Sequence, residues 1–148
     1  PDGPDGTPIG LWESGAILLY LSEKTGLLGG ATASDKARVT QWLMRQMAGL
    51  GPMLGQLGYF VKFAGKDIHD PRPRDRYAAE AKRLLDVLSG TLADRDWIAG
   101  GFSIADIAIA RWLAIRAESE AWQPRPFRGR QARGRARRSG IVISWVVL

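Results

Sequence analysis

The sequence predicts a mainly α-helical protein in which one short strand and one helix precede an all-helical domain. Size is the first reason, because 148 residues with 45% apolar content can bury one core without disulfides or metals. The second reason is that apolar residues recur at helical spacing in three later stretches. The third is that residues 9–12 form a short apolar run without that spacing, which makes them the candidate strand.

The predicted strand and helix lie at the beginning of the chain. Residues 1–8 combine Pro, Asp and Gly in the manner of a turn, and the apolar run follows directly. Helix-forming residues then continue from Ser14 to Gly26, so we expect Ser14 to be the N-cap and Gly26 the C-terminal stop. A single strand cannot satisfy its own backbone groups. The chain is therefore expected to be truncated at its N-terminus.

A linker at residues 29–34 precedes a predicted helical domain at residues 35–118. The apolar stripe of its first helix is formed by Val39, Leu43, Met47, Leu50, Leu54 and Leu57. We expect this helix to kink at Pro52, because the proline ring collides with the carbonyl group of Ala48 and removes one backbone hydrogen bond. Four glycines in the same helix indicate close helix packing or a kink: Gly49, Gly51, Gly55 and Gly58.

Two further helices are expected after a polar loop at residues 66–76. The first has charged residues on one face and an apolar stripe on the other, formed by Tyr77, Ala81, Leu84, Leu85, Leu88 and Leu92. The second begins at Ser103, with Asp106 three residues later. This spacing predicts a capping box, in which each side chain bonds the backbone N–H group of the other residue.

The net charge of +6 is concentrated near the end of the chain. Residues 1–110 contain 12 Lys and Arg against 13 Asp and Glu, whereas residues 111–148 contain nine Arg against two Glu. No helical period continues into residues 119–148, which we expect to be a disordered or non-native tail. Two explanations stay open: a coding sequence read in another frame, which the apolar residues 141–148 favour, or an Arg-Gly arm that binds nucleic acid.

Composition excludes several kinds of catalytic centre. The chain has no Cys and one His, so a reactive thiol, a pair of His ligands and the usual catalytic triads are ruled out, and no metal site is expected. His69 lies in a polar stretch and is expected to be a solvated loop residue. No apolar run reaches the roughly 18 residues of a membrane-spanning helix, and the first residues do not resemble a leader, so we expect a cytoplasmic protein.

The candidate ligand site is the predicted helix start at Glu13 and Ser14. A helix N-terminus leaves backbone N–H groups without partners and therefore binds carboxylates, and the Ser14 hydroxyl adds a donor. The Glu13 carboxylate can pair with an ammonium group, so together the two residues suit the α-amino acid end of a ligand. The alternative is that Ser14 only caps its helix and Glu13 is a solvated acid.

Four motifs that occur in order along the chain resemble the glutathione S-transferase family. Residues 11–21 look like the end of its thioredoxin-like, glutathione-binding domain. Residues 41–43 and 49–56 resemble the first helix of the all-helical domain in the nu-class branch, which includes disulfide-bond oxidoreductases. Residues 76–85 are similar to the next helix, and residues 103–108 to the capping box of the buried helix.

The resemblance implies that this chain is the all-helical C-terminal domain of a glutathione transferase, with residues 1–28 a remnant of the thioredoxin-like domain. It also implies that Glu13 and Ser14 hold the γ-glutamyl part of glutathione, the co-substrate. The activity implied is glutathione-dependent transfer to a small electrophile, or thiol–disulfide oxidoreduction, in a homodimer. No membrane partner is expected, and nucleic acid is the less favoured partner.

Two departures from the family limit what this chain is expected to do by itself. The family's thiol-activating residue has no counterpart here, so no catalytic residue is assigned and the chain alone is expected to be inactive. Arg111 stands where many relatives have Pro, and the resemblance ends near Leu113. The alternative functions are nucleic-acid binding through the Arg-rich tail and a non-catalytic helical interaction module.

Overall fold

The regular secondary structure of residues 3–117, which the computed structural model describes, is helical. The chain forms α1 (Ser14–Thr25), α2 (Ala33–Arg45), a π-helical turn (Gln46–Leu50), α3 (Gly51–Lys62), a 3-10 turn (Ala64–Asp67), α4 (Arg72–Thr91) and α5 (Ile104–Ala117). The predicted mainly helical fold class is therefore confirmed. The expected Arg-rich tail at residues 119–148 lies outside the described residues.

The beginning of the chain differs from the prediction in two ways. Residues 9–12 do not form a strand, because a strand is stabilised by pairing and residues 3–117 contain no strand to pair with. The N-cap position of α1 is occupied by Glu13, so Ser14 is the first helical residue and the expected Ser14 cap is wrong. The C-terminal stop is confirmed, since Gly26 has a left-handed conformation with φ of 70°.

Helix α2 has a capping box that was not among the predicted features. Thr32 is the N-cap, and its hydroxyl oxygen accepts a hydrogen bond from the backbone N–H group of Asp35 at 3.1 Å. The Asp35 carboxylate accepts the backbone N–H group of Thr32 at 3.1 Å in return. The Thr32 hydroxyl, and after it the Arg38 guanidinium, hold the pKa of Asp35 below its ordinary value.

The break expected at Pro52 takes the form of the π turn between α2 and α3. Pro52 cannot donate a backbone hydrogen bond, and its ring would collide with the carbonyl group of Ala48 in a regular helix. The wider turn relieves this conflict: the N–H group of Gly51 donates to the carbonyl oxygen of Gln46, five residues earlier. The insertion changes which residues of α3 face the rest of the domain.

Helix α4 begins inside the stretch that was predicted to be a loop. Its start at Arg72 is stabilised by Asp70, whose carboxylate accepts the backbone N–H group of Arg72 at 3.0 Å. Pro73 has no backbone N–H group to donate. It fits in the first turn of the helix because N–H groups there have no hydrogen-bond partner within the helix. The remainder of α4 follows the predicted stripe, with four residues buried: Ala81, Leu84, Leu85 and Leu88.

The hydrophobic core lies where α2, α4 and α5 meet. Its buried members are Val39, Leu43, Leu50, Leu84, Leu85, Leu88, Ile98, Ile104, Ala105 and Ile109. Leu18 and Leu19 of α1 pack against this core from outside, so the first helix is attached to the helical domain. No helix within residues 3–117 is long and apolar enough to cross a membrane.

Candidate functional site

A cleft of about 410 Å³ opens where the start of α1 faces α3 and α5. Its lining residues are Glu13, Ser14, Gln46, Met47, Gly51, Pro52, Gly55, Gln56 and Trp112. The two ligand-binding residues expected from the sequence thus lie in one concave site together with residues of the helical domain. This combination places a polar helix start opposite an apolar wall.

Glu13 holds an unusual backbone conformation at the entrance of α1. Its φ of 67° is rare for a residue other than glycine and costs about 1–3 kcal/mol wherever it occurs. The carbonyl oxygen of Glu13 accepts the N–H group of Ile17 at 3.0 Å, which starts the helix, while the Glu13 side chain stays exposed. Backbone strain of this kind is concentrated at binding and catalytic sites.

The first turn of α1 is open to a ligand. The side chain of the N-cap residue Glu13 makes no capping hydrogen bond to the backbone N–H groups of this turn. The Ser14 hydroxyl points to the sulfur atom of Met47, at 3.8 Å, which is a weak contact. Ser14 therefore does not cap the helix, whereas the exposed Glu13 agrees with the other half of that alternative, a solvated acid.

Helix α1 approaches the π turn at Gly15, which is buried and follows Ser14 directly. A Cβ atom at Gly15 would lie 2.9 Å from Cγ of Met47, so a larger residue would require the Met47 side chain to move.

The opposite wall of the cleft is built around Trp112 of α5. A Cβ atom at Gly51 would lie 3.1 Å from the Trp112 ring and 2.8 Å from Nε2 of Gln46. A Cβ atom at Gly55 would lie 3.7 Å from the same ring. Gly51 therefore makes room for the indole, whereas a Cβ atom at Gly55 would make an ordinary van der Waals contact, so the expected close helix packing is found at Gly51.

Gln46 is a cleft residue that was not predicted from the sequence. Its side chain is 4% exposed, and its Oε1 atom has no hydrogen-bond partner within the described part of the chain. The sequence signal is weak, because Gln46 stands beside the apolar stripe of α2 and nothing local distinguishes it from a surface glutamine.

Ser103 and Asp106 lie outside this cleft, at the start of α5. The Asp106 carboxylate accepts the N–H group of Ser103 at 2.9 Å, the Ser103 hydroxyl at 2.8 Å, and the N–H group of Ile98 at 3.0 Å. The N–H group of Asp106 bonds the backbone carbonyl oxygen of Ser103, at 3.1 Å, rather than its hydroxyl. Asp106 therefore connects the loop before α5 to the helix, and only one half of the predicted capping box is formed.

His69 is exposed, as expected for a solvated loop residue. Among residues 3–117, no group of three or more Asp, Glu or His side chains is arranged to hold a metal ion.

Known proteins share this architecture, although no protein-family model matches the chain. The disulfide-bond oxidoreductase YfcG of Escherichia coli is 42% identical over 142 residues, covering 88% of this chain and 65% of that protein. A glutathione transferase from Pseudomonas putida, whose crystal structure has one glutathione disulfide bound per subunit, is 53% identical in sequence to this chain. The two structures superpose with a TM-score of 0.78. A glutathione transferase from Burkholderia graminis, with two glutathione molecules bound per subunit, is 55% identical with a TM-score of 0.76.

These two structures are each matched over 80% of this chain, which corresponds to 51% of the Pseudomonas chain and 50% of the Burkholderia chain. The helical architecture of residues 3–117 is thus similar to that of glutathione transferase structures. The chain belongs to the glutathione S-transferase-like family and has disulfide-bond oxidoreductases among its relatives. It spans about half to two thirds of the length of the relatives named above.

Proposed function

We propose that this chain supplies the γ-glutamyl-binding residues and the helical wall of the substrate cleft for glutathione-dependent transfer or thiol–disulfide oxidoreduction. The observation that carries the proposal is the single cleft shared by Glu13, Ser14 and Trp112. In this proposal residues 1–28 belong to a glutathione-binding domain, residues 35–118 form the helical domain, and residues 29–34 join them.

The polar end of the cleft suits the α-amino acid group of glutathione. The uncapped N–H groups at the start of α1 favour the carboxylate, and the Ser14 hydroxyl adds one more donor. The exposed carboxylate of Glu13 pairs with the ammonium group. Both residues are adjacent in sequence, so one backbone conformation sets the position of both contacts.

The apolar side of the cleft suits a second substrate. Met47, Pro52 and Trp112 provide its apolar surface. In a transfer reaction, the glutathione thiolate forms a bond to carbon of an electrophile while the leaving group departs. In an oxidoreduction, two glutathione thiols give two electrons and two protons to a disulfide, which yields two thiols and glutathione disulfide.

The relatives and the chemistry also suggest where and how the protein acts. Glutathione-dependent reduction needs a reduced glutathione pool, which is a property of the cytosol. We therefore place the protein in the cytoplasm and propose that the full-length form is a homodimer.

Removal of either polar contact is expected to weaken glutathione binding. In a chimera that joins this chain to the part of the Pseudomonas putida transferase it does not cover, Glu13→Ala and Ser14→Ala should each raise the Kd for glutathione about tenfold, since each removes a charge-assisted or helix-start hydrogen bond. Calorimetric titration measures the change. Glu23→Ala, an exposed acid on the same helix, is the matched control. Unchanged affinity in both test variants contradicts the assignment.

The 148-residue chain alone is expected to show no glutathione transfer above background. Catalysis needs a donor beside the sulfur atom that stabilises the thiolate, and the polar groups of the cleft are occupied with the γ-glutamyl end in this proposal. The comparison is the rate of glutathione conjugation to a halodinitrobenzene by the chain and by the chimera. Turnover that scales with the concentration of the pure chain would disprove this expectation.

A further inference from the structure

The π turn and a glycine together place the amide group of Gln46 in the cleft. The turn begins at Gln46, and π turns inside helices occur frequently at functional sites. Nε2 of Gln46 lies 2.8 Å from the position that a Cβ atom of Gly51 would take, so a side chain at residue 51 would displace the amide from its present position. The π turn and the glycine that ends it thus accommodate one buried polar group.

This buried amide is incompletely paired. Gln46 is more than nine-tenths buried, and its Oε1 atom, a carbonyl oxygen with two lone pairs, has no partner within residues 3–117. Burying a polar group in this state lowers the stability of the folded protein. A methionine of similar length would fill the same space without that cost, so fold stability alone does not explain a glutamine here.

We infer that Gln46 is a binding residue of the cleft, whose side-chain oxygen accepts a hydrogen bond from an amide N–H group of the peptide held at Glu13 and Ser14. This inference rests on the proposed function. Gln46 and the two residues line the same cleft. The carboxylate of Glu13 is the charged acceptor and matches an ammonium group, whereas the neutral oxygen of Gln46 matches a neutral amide donor.

The test compares two ligands that share one end. Glutathione and free glutamate both carry the α-amino acid group, but only glutathione has amide N–H groups. NMR titration of the 148-residue chain measures both dissociation constants, and thermal unfolding without ligand measures stability. The variants are Gln46→Met, the ligand-site variant Glu13→Ala, and the control Gln41→Met, which changes an exposed glutamine on α2 outside the cleft.

Gln46→Met is expected to raise the Kd for glutathione about five- to tenfold, the range of one hydrogen bond, and to leave the Kd for glutamate unchanged. Its thermal midpoint should equal or exceed that of the parent, because an unpaired polar group has been removed. Glu13→Ala should weaken the binding of both ligands, and the control Gln41→Met should weaken the binding of neither.

Other results overturn the inference in distinguishable ways. A fall in the midpoint of Gln46→Met by more than about 3 °C, or failure to fold, means that Gln46 has a structural partner. Unchanged glutathione affinity in Gln46→Met, with weakened affinity in Glu13→Ala, refutes the role of Gln46 and leaves the proposed function intact. Equal loss for both ligands in Gln46→Met refutes the amide contact. Absence of binding to the parent chain refutes the inference and the proposed function together.

Discussion

Replacement of Asp106 by Ala is expected to lower the free energy of unfolding by about 3 kcal/mol, because it leaves buried backbone donors without an acceptor. The Asp106 carboxylate accepts the N–H groups of Ser103 and Ile98, at 2.9 and 3.0 Å, and the Ser103 hydroxyl at 2.8 Å. Ser103 and Ile98 are each 2% exposed, so solvent cannot replace the lost acceptor. Chemical denaturation of the variant and its parent measures the difference.

A smaller loss of about 0.5–2 kcal/mol is expected for Ser103→Ala, which removes only the hydroxyl bond to the same carboxylate. Because the two residues share that bond, the double variant should lose less than the sum of the single variants. Asp96→Ala changes an exposed acid of the preceding loop and should have an effect within about 0.5 kcal/mol. Additive losses, or an Asp106 effect as small as that of Asp96, would show that the carboxylate does not connect loop and helix.

The parts of the fold that follow from local periodicity could be predicted from the sequence. In α4 the apolar residues recur at helical spacing over five turns, and charged residues occupy the opposite face. On that face Lys82 pairs with Asp86, and Arg83 pairs with Glu80 at 2.7 Å. Each turn of the helix repeats the same apolar spacing, so one irregular residue does not change the prediction of a helix. The core contributions of Val39 and Leu43 followed for the same reason.

The start of α1 could be located but its conformation could not. Serine at a helix start is usually an N-cap, because that is its most favourable local conformation. Here Glu13 takes the cap position with a positive φ, which local preference disfavours, and Gly15 two residues later lies against the side chain of Met47. Strained functional sites are where predictions from local preference fail, since the compensating contacts come from distant residues.

The position of Gln46 depended on contacts that are distant in sequence. The period of α2 places it beside the apolar stripe, where a glutamine is compatible with either exposure or burial. Its surroundings are set by the π turn, by Gly51 after that turn, and by Trp112, which is 66 residues further along the chain. A proline in a helix predicts a break, but the sequence does not say which neighbour the altered turn brings into the cleft.

Gly51→Val is expected to lower the free energy of unfolding by about 3 kcal/mol through overpacking. The Cβ atom alone would lie 2.8 Å from Nε2 of Gln46 and 3.1 Å from the Trp112 ring. The flexible amide can move away, but the indole is held between α3 and α5, and the added methyl groups increase the collision. Displacement of Gln46 should also weaken glutathione binding in the chimera.

Gly58→Val in the same helix separates this collision from the general effect of replacing a helical glycine. Nothing lies within 4 Å of a Cβ atom at Gly58, so the side chain enters open space. Valine and glycine differ little in helix propensity, and this control should change the unfolding free energy by less than about 0.5 kcal/mol. If the two variants unfold at the same denaturant concentration, the close approach of Gly51 to Trp112 does not contribute to stability. A loss confined to Gly51→Val, with reduced glutathione affinity, instead ties the geometry of the π turn to the shape of the cleft.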